Sequence, residues 1–135
     1  MQSANEKNKN DNTNTTNLNY IYVIRCKDDT LYTGIAKDVT KRMGEHFYQK
    51  NGAKYTKSHI PEEILMVWSC VSWSEAAIME HYFKTLSKSK KLALVNHPED
   101  IASIEHNRMI GKNYTPCYTY NGPITELLKE KNVNE

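Results

Sequence analysis

The sequence predicts an α/β (α+β) domain: a small three-stranded, mainly antiparallel sheet flanked by helices in the order β-β-α-β-α-α, followed by a C-terminal extension. Three observations predict it. Two runs rich in β-branched and aromatic residues are split by a short turn, a continuous apolar run lies further on, and elsewhere apolar residues recur at helical spacing. The strands are too closely connected for a purely parallel sheet.

In order along the chain, residues 1–19 are rich in Asn, with Lys, Asp and Thr, and hold almost nothing that could pack in a core. They read as a disordered leader. Residues 20–26 and 30–35 have strand composition, and Lys27, Asp28 and Asp29 between them supply the turn of a β-hairpin. Asp38 suits a helix N-cap, and Val39, Met43 and Phe47 follow at helical spacing, so a helix is expected over 39–49, stopped by Asn51-Gly52. After a basic loop through Tyr55 and His59, Pro61 precedes the apolar run 64–71, fit for a central strand covered on both faces. Ser74, Glu75 and Ala76 open a second helix with Ala76, Met79, Phe83 and Leu86 as apolar residues, and a shorter third helix is expected over 88–95. The core domain is thus placed at 20–95. In the extension, 96–135, Pro98 suits the first turn of a helix carrying Ile101, Ile104 and Met109 and ended by Gly111. Tyr114, Pro116, Tyr118 and Tyr120 suggest an extended stretch, and 124–131 a last helix.

No apolar run approaches the roughly 18 to 20 residues that cross a bilayer, and the first residues lack a signal-peptide pattern, so no membrane partner and a cytoplasmic location are expected. Cys26, Cys70 and Cys117 are odd in number, widely spaced and free of a CxxC pattern, which argues against a disulfide framework or a zinc knuckle. Between Ala36 and Val95 there are ten Lys and Arg against six Asp and Glu, whereas from Asn96 onward there are four against six. The middle could attract phosphate; the tail could not.

Some residues between Tyr20 and Val95 could carry chemistry. A three-residue hairpin loop pairs Cys26 with Thr30, Ile24 with Tyr32 and Tyr22 with Gly34, so both phenols, Tyr22 and Tyr32, point the same way; a two-residue loop would set them apart. Arg42 and His46 are four apart on the first helix. Arginine suits two oxygens of one phosphate, and histidine can donate a hydrogen bond or move a proton near neutral pH. Glu80 interrupts the apolar first half of the second helix, with Lys84 one turn on, and a carboxylate is a natural ligand for Mg²⁺ or Mn²⁺. Taken singly, each also fits ordinary packing or a solvated helix face.

Their order and spacing resemble the GIY-YIG nucleases, named for two tripeptides about ten residues apart on a hairpin, followed by a helical Arg and, on a later helix, a metal-binding Glu. Here the tripeptides read Tyr20-Ile21-Tyr22 and Tyr32-Thr33-Gly34. The stretches 31–35 and 52–56, and Ser74-Glu75-Ala76 leading through Glu80 to Lys84, look especially like the short, stand-alone bacterial members. The sequence departs from the family pattern at Tyr20, where Gly is usual, at Thr33, where Ile is usual, and at Ile35, where some members have Lys. Asn96 is a possible counterpart of an Asn that many members carry after the metal-binding helix.

The resemblance implies a DNA endonuclease of little sequence specificity that uses one divalent ion, Mg²⁺ or Mn²⁺. Glu80 would be the metal ligand, and Tyr22, Tyr32, Arg42 and His46 the catalytic residues. Gly34, Lys54, Lys57 and Lys84 would meet the nucleic acid, Gly34 because it lets backbone approach phosphate. Two other readings compete: a non-catalytic or partner-dependent nucleic-acid-binding module, and a protein-interaction adaptor that docks a protein partner through the extension.

Overall fold

The computed structural model describes residues 17–48 and 59–134. Strands β1 (Asn19–Cys26) and β2 (Leu31–Ala36) form the expected antiparallel hairpin, with Tyr22 opposite Gly34 and Ile24 opposite Tyr32. The turn sets this register. Asp29 N–H donates to Cys26 O at 2.8 Å and Cys26 N–H to Thr30 O at 2.9 Å, while Asp29 takes a left-handed φ of 70°. A type I turn followed by one left-handed residue is a common three-residue hairpin loop.

Asp38 caps helix α1 (Val39–Phe47) by accepting from Lys41 N–H at 3.1 Å. Gln49, and the stop expected at Asn51-Gly52, lie outside the described residues. Strand β3 (Pro61–Cys70) starts earlier than the apolar run and ends before Val71, which is exposed. Proline is tolerated at the first position of a strand, where its missing N–H need not join the ladder. Helix α2 (Trp73–Lys84) starts before Ser74, because Ser72 is the residue whose hydroxyl accepts from Glu75 N–H, at 3.1 Å. Helix α3 (Lys88–Asn96) follows, capped by Ser87.

Beyond α3 the structure corrects the expectation of one helix from Pro98 to Gly111. A 3-10 helix (Pro98–Ser103) is followed by a small hairpin, β4 (Glu105–His106) and β5 (Met109–Ile110), turned by Asn107 at φ 54°. Gly111 does not stop a helix. Its N–H donates to Ile104 O at 2.8 Å, and a Cβ there would overlap Ile101 O, so the chain doubles back at a backbone-to-backbone approach that only glycine allows. A second 3-10 turn (Gly111–Asn113) leads to β6 (Thr115–Pro116). A third (Tyr118–Tyr120) sits where extended chain was expected, before β7 (Gly122–Pro123) and helix α4 (Ile124–Asn134).

The main sheet has the order β2-β1-β3-β6, with β7 also pairing β3, so the three predicted strands are joined on the outer side of β3 by two short ones. Side-chain alternation divides β1 between two cores. Ile21 and Val23 pack with Met66, Trp68, Met79 and Phe83 under α2, and with Leu94, Ile101 and Met109 beyond it. Tyr20, Tyr22 and Ile24 pack on the other face with Val39 and Met43 of α1, and with Ile124 and Leu128 of α4. Trp68 Nε1–H donates to Pro98 O at 3.1 Å and Tyr114 O–H to Glu75 O at 2.6 Å, which ties the segment after α3 to the sheet and to α2. Among the described residues no helix is long and apolar enough to cross a membrane.

Candidate active site

Tyr22 and Tyr32 lie on the α1 face of the hairpin with ring centroids 6.3 Å apart. His46, on the inner side of α1, completes a three-ring cluster at 6.1 Å from Tyr22 and 5.4 Å from Tyr32. The Tyr22 hydroxyl and His46 Nε2 share a buried hydrogen bond of 2.9 Å. Tyr22 is 1% exposed and His46 2%, whereas Tyr32 is only partly buried.

Gly34 has a structural duty here. The Tyr22 ring crosses it, and a Cβ at position 34 would stand 2.6 Å from Tyr22 Cζ and 2.9 Å from Cε1. Any side chain would push the phenol off His46. This packing over a cross-strand glycine exists whether or not the backbone also meets phosphate.

Burial dominates the electrostatics. The Tyr22 phenol is pushed well above the ordinary range, first by desolvation and then by the neighbouring Tyr32; hydrogen bonding and charge from Arg42 oppose the rise, and the Glu80 carboxylate adds to it. His46 is held down to about 4 by burial and then by the Arg42 charge, with Glu45 opposing, so its imidazole is neutral at pH 7. His46 Nδ1 is buried without a hydrogen-bond partner among the described residues.

An open cleft of about 510 Å³ brings these groups to solvent. Tyr22, Tyr32 and Gly34 line it from the hairpin, Arg42 and Glu45 from α1, and Glu80 from α2. Because α2 packs on the opposite face of the sheet from the tyrosines, Glu80 does not look across the sheet surface. It reaches the cleft around β2, the edge strand.

Arg42 Nη1 donates to Glu45 Oε1 at 2.9 Å, leaving further N–H donors of its five for an incoming anion. Glu80 is about a quarter exposed and is paired 3.2 Å from Lys84, whose side chain is more than half exposed. Such an i,i+4 surface pair is weak and exchanges readily.

No group of three His, Cys, Asp or Glu able to hold a metal occurs among the described residues. The site therefore does not fit a metal that needs a full protein cage. Glu80 and Glu45, carboxylates in the same cleft, could hold a hard cation that keeps most of its waters, as Mg²⁺ does.

Of the other sequence candidates, Lys84 sits beside Glu80, Lys54 and Lys57 lie outside the described residues, and Asn96 is exposed at the end of α3, away from the cleft lining. Among the lining residues that no motif marked are Glu45, Lys37, Lys41 and Trp73. Only Glu45 left a sequence signal, its i,i+3 spacing from Arg42. Trp73 is exposed at the start of α2 with Lys37 Nζ 5.2 Å above its ring, a pairing across the cleft that sequence spacing does not reveal.

The family model of the GIY-YIG catalytic domain matches residues 18–93. A UPF0213 protein of Fusobacterium nucleatum is 45% identical over 92 residues, covering 67% of this chain and 91% of that protein. A UPF0213 protein of Staphylococcus saprophyticus is 44% identical over 77 residues, covering 57% of this chain and 93% of the relative. A solution NMR structure of a UPF0213 protein from Bacillus halodurans is 38% identical, covers 58% of this chain and 83% of that one, and has a TM-score of 0.39.

Proposed function

The chain belongs to the GIY-YIG catalytic-domain family, a nuclease family, and from that premise we propose that it is an endonuclease hydrolysing DNA phosphodiester bonds with one divalent metal ion, Mg²⁺ or Mn²⁺. The observation that carries the reading is the meeting of Tyr22, Tyr32, Arg42 and Glu80 in one open cleft at the β2 edge, although they come from both faces of the sheet.

Held by Glu80, the ion would supply Lewis-acid neutralisation of charge on the scissile phosphate and its leaving oxygen. The chain's own residues do the rest. Arg42 turns free N–H donors to the non-bridging phosphate oxygens and stabilises the charge that grows as water adds.

Tyr22 cannot serve as a standing phenolate, since burial raises its pKa. Its hydroxyl acts instead as a relay. With the phenol donating to His46 Nε2 and accepting from Arg42, the Tyr22 oxygen keeps one lone pair for the attacking water; as it takes the water's proton, it passes its own to His46. The phenol remains neutral throughout. In the free protein desolvation and the Arg42 charge keep His46 unprotonated. A phosphate bound to Arg42 offsets part of that charge and raises the proton affinity of His46 when substrate is present. Tyr32, the more exposed phenol, borders the water's position and hydrogen-bonds it.

Among the described residues the cleft borders no element shaped to read base edges, which supports cleavage with little sequence specificity. Lys37, Lys41 and Lys84 around it make binding fall with salt.

The test is Glu80→Ala. It is expected to abolish Mg²⁺-dependent nicking of single-stranded, duplex and branched DNA while circular dichroism stays as in the parent. Nicking at the parental rate by the purified variant would sink the metal assignment. A chain that binds DNA and never cuts it with either ion would be the non-catalytic module instead.

A further inference from the structure

A second cavity, of about 760 Å³, opens between the outer face of α2 and the β4–β5 hairpin, so the segment after α3 builds one of its walls. Its base is apolar, with Ile78 and the buried Met109. The rings of Tyr82 and His106 meet there at 5.3 Å with a 48° tilt. At the rim are His81 and Arg108, both exposed.

Charge sets this groove apart from the segment that helps to build it. That segment carries more acids than bases, yet no Asp or Glu lines the groove among the described residues. Glu105 precedes His106 in β4, and alternation turns its side chain to the other side of the hairpin. Arg108 has no acidic partner among the described residues, and the left-handed Asn107 beside it shapes the turn that presents it. An exposed guanidinium lining the same groove as two aromatic rings suits a phosphate next to a planar base.

Position adds a second argument. On α2, Trp73 and Glu80 line the cleft while their immediate neighbours Ser74 and His81 line the groove. Successive helix residues are turned by about 100°, so the two cavities occupy adjoining faces of one helix. A chain-like ligand leaving the cleft over α2 enters the groove.

We propose that the groove between α2 and the β4–β5 hairpin is a second nucleic-acid contact, where a DNA strand continuing from the cleft lays a phosphate on Arg108 and a base against the Tyr82 and His106 rings. The proposal rests on the nuclease reading of the cleft. It gives the segment after α3 the task of holding substrate beyond the scissile bond.

The experiment uses the full chain, with fluorescence anisotropy of a labelled oligonucleotide in EDTA, so that binding is read without cleavage. Arg108→Ala and His106→Ala change exposed residues. Arg108→Ala is expected to weaken binding about fivefold to tenfold and to reduce the slope of log K against log salt by about 1. His106→Ala weakens binding with the slope unchanged. Cleavage of a dinucleotide, too short to reach the groove, stays at the parental rate in both.

Parental affinity and slope in both variants, in a chain that still cleaves DNA, would overturn the groove and leave the nuclease reading standing. Binding that depends on Arg108 in a chain that never cleaves would keep the groove and remove that reading. Equal competition by polyglutamate would assign the groove to an acidic peptide and overturn the proposal, and failure of the parent to bind any oligonucleotide would overturn both.

Discussion

At the β2 edge of the sheet no further strand pairs with β2 among the described residues, and a cleft holding Tyr22, Tyr32, Arg42 and Glu80 runs beside it. At the β3 edge two short strands, β6 and β7, pair with the backbone, and Tyr114 and Pro98 are tied down by hydrogen bonds. The β2 edge is bordered by charged and phenolic side chains, while the β3 edge is covered by two short strands. The residues matched by the family model, 18–93, supply the β2 edge, and later ones cover the β3 edge. The difference separates substitutions that should alter chemistry from those that should alter only stability.

The largest separation is expected at the cleft. Arg42→Ala and Tyr22→Phe should each lower the cleavage rate about 10²-fold or more, the scale of a lost electrostatic or proton-transfer contribution. Single-turnover rates at saturating Mg²⁺ would measure it. Two variants with parental rates would remove chemistry from the β2 edge.

Acid should act next, through His46. Its folded-state pKa of about 4 lies below the ordinary 6.5, so the unfolded chain binds the proton more readily. The stability gained by keeping His46 neutral is present above pH 6.5 and is lost as pH falls from 6.5 toward 4. Urea midpoints across that window should decline more steeply for the parent than for His46→Asn. Parallel curves would mean that His46 is not held neutral by its surroundings.

Gly34→Ala couples the two kinds of effect. The added methyl collides with the Tyr22 ring, costing about 1 to 3 kcal/mol as an overpacked site and dragging the phenol off His46. Stability and cleavage should therefore fall together. A rate loss with an unchanged melting temperature would place the duty of Gly34 at the substrate instead.

The smallest effect belongs to the closed edge. Tyr114→Phe removes the hydrogen bond to Glu75 O and should cost about 1 kcal/mol, with cleavage unchanged. A clear fall in rate with the fold intact would show that the covered edge also serves the chemistry.

What was legible in the sequence was what local rules determine. Period-two alternation and a three-residue loop put Tyr22 and Tyr32 on one face, and helical spacing with capping residues located α1 and α2 to within a few residues. The helix carrying Glu80 was legible, but the route by which Glu80 comes to line the cleft was not, because the side of the sheet on which α2 packs is a tertiary matter. The Pro98 to Gly111 segment misled for the same reason. Ile101 and Met109 are buried as a helix would have them, but a close contact between Gly111 and the Ile101 and Ile104 carbonyls overrides the helical spacing. Strands of two residues, such as β6 and β7, have no period to read and exist because β3 offers them a partner. The Tyr22–His46 bond was equally hidden, since it depends on how deeply α1 sinks onto the hairpin.

The proposal that the cleft at the β2 edge is a metal-dependent phosphodiesterase is tested most directly by nicking of supercoiled DNA by the purified chain with Mg²⁺ or Mn²⁺, repeated with EDTA. The expected result is nicking that requires the metal and stops with the chelator. Nicking that persists undiminished in EDTA, or DNA left intact at every metal concentration, would contradict it.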